Sequence, residues 1–91
     1  MSRCRPVVRR TAYTIRVTFP SRCNDFFRAD EFDAISACVF GNRASRSSVV
    51  SGAYVRAYFP SVEDAARAAG CIQRVLDTHR PAATATGGRG A

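Results

Sequence analysis

Ser51-Gly52-Ala53-Tyr54-Val55-Arg56-Ala57-Tyr58-Phe59-Pro60-Ser61-Val62-Glu63-Asp64-Ala65 holds the two periodicities from which the fold can be read. Over 53–59, Ala53, Val55, Ala57 and Phe59 fall on one side and Tyr54, Arg56 and Tyr58 on the other. A period of two is that of a half-buried β-strand. Pro60 cannot donate to a ladder and ends it. Ser61 then stands at a helix N-cap, with Asp64 three residues on, close to a capping box. Ala65, Ala69, Ile72 and Leu76, flanked by Val62, Ala68 and Val75, recur at helical spacing and predict a buried stripe on a helix running to about Thr78.

Working upstream, 46–50 reads as a strand joined to 53–59 by a tight turn at Ser51-Gly52. One long strand bent at Gly52 is the competing reading. The stretch 11–19 alternates too, with Tyr13, Ile15, Val17 and Phe19 opposed to Thr14, Arg16 and Thr18. Between these strands, 30–40 predicts a helix with Asp30 as N-cap, Gly41 as its stop, and Phe32, Ile35 and Val39 as its core stripe. Asp30, Glu31 and Asp33 crowd the first turn, where the helix dipole favours negative charge.

The predicted order is β-α-β-β-α. That makes an α+β protein of ferredoxin-like arrangement: an antiparallel sheet with two helices on one face, its last strand weak or absent. The only candidate for that strand is 82–86. Residues 1–10 are expected to be a flexible basic arm, 11–79 the single domain, and 80–91 a flexible tail.

In 91 residues there is room for one domain and little room for a buried multi-residue active site. The net charge is +7, and all 14 basic residues are arginine. Guanidinium groups stay charged, bind phosphate or carboxylate bidentately and stack on flat faces. Such a balance favours nucleic acid, an acidic or nucleoprotein surface, or anionic lipid as partner; the plainer reading is a solubilising charge. No apolar stretch approaches the roughly 20 residues that span a membrane. No apolar segment follows the charged Met1–Arg10 stretch as a secretory signal requires, so a cytoplasmic location and free thiols are expected for Cys4, Cys23, Cys38 and Cys71. The cysteines form no C-x-x-C pair and His79 is the only histidine, which argues against a metal site, and no other cofactor is expected. No nucleophile has a base near it in sequence, and an enzyme is not expected.

The quoted stretch resembles the third strand and second helix of an RNA-recognition motif. In that family a strand with outward aromatics runs into Glu-Asp-Ala and a helix, as Tyr54 to Ala65 does here; Phe32 to Gly41 is similar to the family's first helix. The resemblance covers about fifty residues. It implies outward stacking positions at Tyr54 and Arg56, with arginine where the stronger aromatic stands in the family, and Arg16 where an outward aromatic is expected on the first strand. In size, compactness and flexible ends the chain also resembles small phage-encoded inhibitors, including anti-CRISPR proteins.

Two candidate surfaces follow. Thr14, Arg16, Thr18, Tyr54, Arg56 and Tyr58 would share the open sheet face, where aromatics beside guanidiniums suit base stacking or a protein hot spot. The alternative is a solvated face whose residues reflect β-propensity. Arg3, Arg5, Arg9 and Arg10 of the arm, with Arg43 and Arg46 of the loop after the first helix, would track phosphates. The expected function is a basic, non-enzymatic module that docks on a nucleic acid or nucleoprotein complex. The alternatives are an inhibitor that binds a protein effector complex and blocks its nucleic-acid binding, and an assembly protein forming a homodimer through its sheet.

Overall fold

The structure, a computed structural model, describes residues 4–81. Its elements are β1 (Val7–Arg10), β2 (Thr14–Thr18), α1 (Ala29–Phe40), β3 (Val49–Val50), β4 (Tyr54–Tyr58) and α2 (Val62–His79). The strands form one antiparallel sheet in the order β1-β2-β4-β3. Ile15 and Val17 of β2 and Val55 and Ala57 of β4 are buried together with Ile35 and Val39 of α1 and Ala65, Ala68, Ile72 and Leu76 of α2. Both helices therefore cover the same face of the sheet, and the other face is open.

The element order is β-β-α-β-β-α, not β-α-β-β-α. Residues 7–10, expected within a flexible arm, form β1 and pair with β2 from Val7↔Thr18 to Arg10↔Ile15. The Val-Val-Arg-Arg sequence has no period-two pattern. The pairing comes from outside it: β2 would otherwise present a row of unpaired backbone groups. A two-residue connection, Ala12-Tyr13, closes the hairpin, with the Thr11 N–H donating to the Thr14 carbonyl at 3.0 Å. Tyr13, expected to face the core, is in this turn and is 52% exposed. Thus β1 occupies the edge beside β2; the candidate last strand at 82–86 lies outside the described residues.

The turn after β3 is a hairpin and not a bend. The Ser51 N–H donates to the Tyr54 carbonyl at 2.9 Å, and Ser51 Oγ accepts from the Ala53 and Tyr54 N–H groups. β3 is shorter than the expected 46–50 because residues 45–48 turn. Ser48 Oγ accepts from the Tyr58 N–H at 3.0 Å, and the Ser45 N–H donates to the Tyr58 carbonyl at 2.8 Å. A hydroxyl thus stands in for the missing ladder.

The helix starts differ in how legible they were. At α2, Ser61 Oγ accepts from the Asp64 N–H at 3.1 Å, as the sequence suggests. At α1 the N-cap position is Arg28, not Asp30, and the Arg28 N–H donates to Glu31 Oε1 at 3.1 Å. A buried Glu31 reaching back does the capping.

Two expectations about the ends of the domain are corrected. The four cysteines are not free thiols: Cys4 pairs with Cys23, and Cys38 with Cys71, the latter joining α1 to α2. The packed helices bring the Cys38 and Cys71 Cα atoms to 5.6 Å, within disulfide reach. Arg80, read as the first residue of a flexible tail, is buried. Its Nε and Nη2 donate to the two Glu31 oxygens at 2.6 and 2.9 Å. Nη1 donates to Asp25 Oδ2 at 2.8 Å and to the Cys4 carbonyl, and Nη2 also to the Phe26 carbonyl at 2.9 Å. All five guanidinium donors are thereby used, and the group lies 5.0 Å from the Phe19 ring centre. Hydrogen bonding to Glu31 foremost, then to Asp25, raises the guanidinium above its already high ordinary value, against the lowering effect of burial.

Candidate functional site

The ladder registers and the hairpin closure place ten outward residues in a grid on the open face. Val7 and Thr18 stand opposite each other on β1 and β2, and Thr18 faces Tyr54 on β4. The next row is Arg9, Arg16 and Arg56, with Val49 of β3 beyond Arg56. The last is Thr11, Thr14 and Tyr58, where Thr11 meets Thr14 through the hairpin's closing hydrogen bond. Residues directly opposite have Cβ atoms about 5 Å apart, so the three guanidiniums share a band across three strands. Tyr54 and Tyr58, 40% and 39% exposed, flank it.

Electrostatically the face is one-sided. The Asp and Glu side chains all lie on α1, on α2 or, for Asp25, in the loop before α1; none belongs to a strand. Arg9, Arg16 and Arg56 are exposed and have no carboxylate within ion-pair distance among the described residues. Like charges directly opposite destabilise a ladder, by up to about 1 kcal/mol per pair. A pocket of about 220 Å³ opens on this face, lined by Arg9, Thr11, Thr14 and Arg16.

The six residues singled out from strand parity, Thr14, Arg16, Thr18, Tyr54, Arg56 and Tyr58, lie on this surface. The arm and loop arginines scatter. Arg3 lies outside the described residues. Arg5 is turned to the helices, donating to Asp77 at 2.7 Å, to Gln73 at 3.2 Å and to the Arg80 carbonyl at 3.0 Å. Arg10 has the opposite parity to Arg9, facing Ile15 across the ladder. Arg43, in the left-handed region at φ 70°, and Arg46 are exposed in the loop between α1 and β3, outside the strand registers. Among the described arginines of the arm only Arg9 joins the face, with Val7 and, beyond it, Thr11, because β1 pairs with β2. The sequence signal for this is faint: a two-residue Ala12-Tyr13 connection between Thr11 and Thr14, with no glycine or asparagine to mark it.

His79 Nδ1 is 4.0 Å from Asp30 Oδ2, where the end of α2 meets the start of α1. No helix among the described residues is long and apolar enough to cross a membrane.

Fold and site together define a small disulfide-linked α+β protein with a cationic, tyrosine-flanked open sheet. Comparison of the chain with protein-family models, with curated proteins and with solved structures finds no match.

Proposed function

We propose that this chain is a non-enzymatic binding module whose open sheet docks on nucleic acid. The observation that carries this reading is the uncompensated row Arg9–Arg16–Arg56 between two half-exposed tyrosines. Three aligned cations without carboxylates destabilise the free sheet and fit a line of phosphates. Each stacked base adds roughly 1–3 kcal/mol. We read β2-α1-β3-β4-α2 as the ferredoxin-like unit, with β1 standing at the edge where that arrangement has its last strand.

Free thiols are what a reducing cytosol would leave. Paired cysteines instead fit an oxidising compartment. Membrane attachment forms no part of the proposal.

Fluorescence anisotropy with labelled RNA and DNA, single- and double-stranded, across a salt titration tests it. Binding that weakens with salt and is abolished by Arg56→Glu is expected. A folded sample that binds no nucleic acid at low salt would remove the reading and leave the inhibitor alternative, in which the arginine row meets an acidic protein surface.

A further inference from the structure

The β1–β2 hairpin does more than close an edge. The pocket beside it is lined by two guanidiniums, from Arg9 and Arg16, and two hydroxyls, from Thr11 and Thr14. The hydroxyl oxygens lie 2.5 Å apart, so one donates to the other. Thr11 Oγ also accepts from the Thr14 N–H at 3.2 Å. Counting donors, one O–H is consumed in the threonine pair and the other remains free to reach a ligand. The pocket thus offers two guanidiniums and a hydroxyl donor, with no carboxylate in its wall. That set suits a tetrahedral oxyanion.

Its surroundings say what bears the oxyanion. Thr14 is directly opposite Tyr58. A phosphorus centred between β1 and β2 lies about one and a half strand spacings, roughly 7 Å, from the Tyr58 column. That is about the reach from a phosphorus to its own base. Resting on the nucleic-acid reading above, we infer that the hairpin pocket is a nucleotide phosphate subsite, holding one phosphate of a single strand while Tyr58 stacks that nucleotide's base. A paired base cannot lie flat on Tyr58, so the subsite selects single strands over duplex.

The test uses the full chain, isotopically labelled, titrated with inorganic phosphate, adenosine 5′-monophosphate and adenosine. In parallel a labelled oligouridylate, with and without a terminal phosphate, is bound to wild type and to Arg9→Gln, Thr14→Val, Tyr58→Leu and Arg74→Gln, the last removing an equal charge from α2. Phosphate and the monophosphate should shift the Thr11 and Thr14 amide resonances, the monophosphate at lower concentration, and Tyr58→Leu should remove that advantage. Arg9→Gln should weaken oligouridylate binding about tenfold, Thr14→Val about threefold and Arg74→Gln less than twofold. Equal affinity with and without the terminal phosphate assigns the pocket to an internal phosphodiester; tighter binding with it assigns the strand end.

Oligouridylate binding with no response at Thr11 and Thr14, or an Arg9→Gln effect no larger than that of Arg74→Gln, overturns the subsite and spares the general reading. Adenosine acting as well as its monophosphate, or polyglutamate binding as tightly as oligouridylate, also overturns it. If the monophosphate binds at Thr11 and Thr14 while no oligonucleotide binds, the pocket takes a free nucleotide, and the single-strand subsite falls together with the nucleic-acid reading.

Discussion

Arg16 stands directly opposite Arg56 on the open face of the sheet. Arg9 stands opposite Arg16 on the other side. Nothing acidic on the strands offsets the repulsion, so the arrangement weakens the ladder that holds it. Replacing the middle residue should separate stability from binding. Arg16→Thr, which keeps a good strand former, should raise unfolding stability by several tenths of a kcal/mol, about 0.5. The same variant should bind single-stranded nucleic acid about tenfold more weakly. Urea denaturation and anisotropy on one preparation check both halves. Lowered stability would mean that Arg16 has a structural role its contacts do not show.

Salt dependence reports how many arginines meet phosphates. If Arg9, Arg16 and Arg56 each neutralise one, log K against log salt should have a slope of about −2 for single strands. Arg56→Gln should make that slope shallower by about 0.7. An unchanged slope would place the contacting charges elsewhere, with Arg43 and Arg46 the next to vary.

Just past the end of α2, Arg80 ties together the Cys4 carbonyl, Asp25, Phe26 and Glu31. Arg80→Met leaves Glu31 buried and without its main cation. The expected loss is about 3–5 kcal/mol, read as a fall in the denaturation midpoint. The Arg80 value is raised in the fold, so its contribution is present at every pH below the unfolded value and is lost only as pH rises through the folded one. The stability gap between wild type and Arg80→Met should therefore stay constant from neutral pH to about pH 10.

With both cysteine pairs closed, native protein should show no reactive thiol, and reduced, unfolded protein should show four. Cys38→Ala with Cys71→Ala should lower stability by about 2–4 kcal/mol. A non-reducing peptide map identifies the pairs. Pairing of Cys4 with any cysteine but Cys23 would contradict the fold at the N-terminal edge.

Arg43 holds φ 70°, in the left-handed region that a side chain disfavours by about 1 kcal/mol. Arg43→Gly should therefore stabilise the domain by up to that amount, less the extra freedom glycine gains in the unfolded chain. A clear loss of stability would show that the Arg43 side chain holds the turn after α1.

What the sequence by itself determined lies within single elements. Alternation along β2 and β4 assigned Thr14, Arg16, Thr18, Tyr54, Arg56 and Tyr58 to the open face, because side-chain direction in a strand is set by parity alone. Ser61 and Asp64 marked the start of α2, because a cap is made by residues three apart. The tertiary structure decided whatever joins distant segments. Cys38 finds Cys71 33 residues on, and Arg80 meets Glu31 49 residues back. No local pattern encodes such meetings, since they follow from how helices and loops pack. β1 shows the same limit at close range: Val-Val-Arg-Arg carries no strand period of its own, and only the free edge of β2 makes it one. That pairing turned Arg9 from part of an arm into the third member of the arginine row.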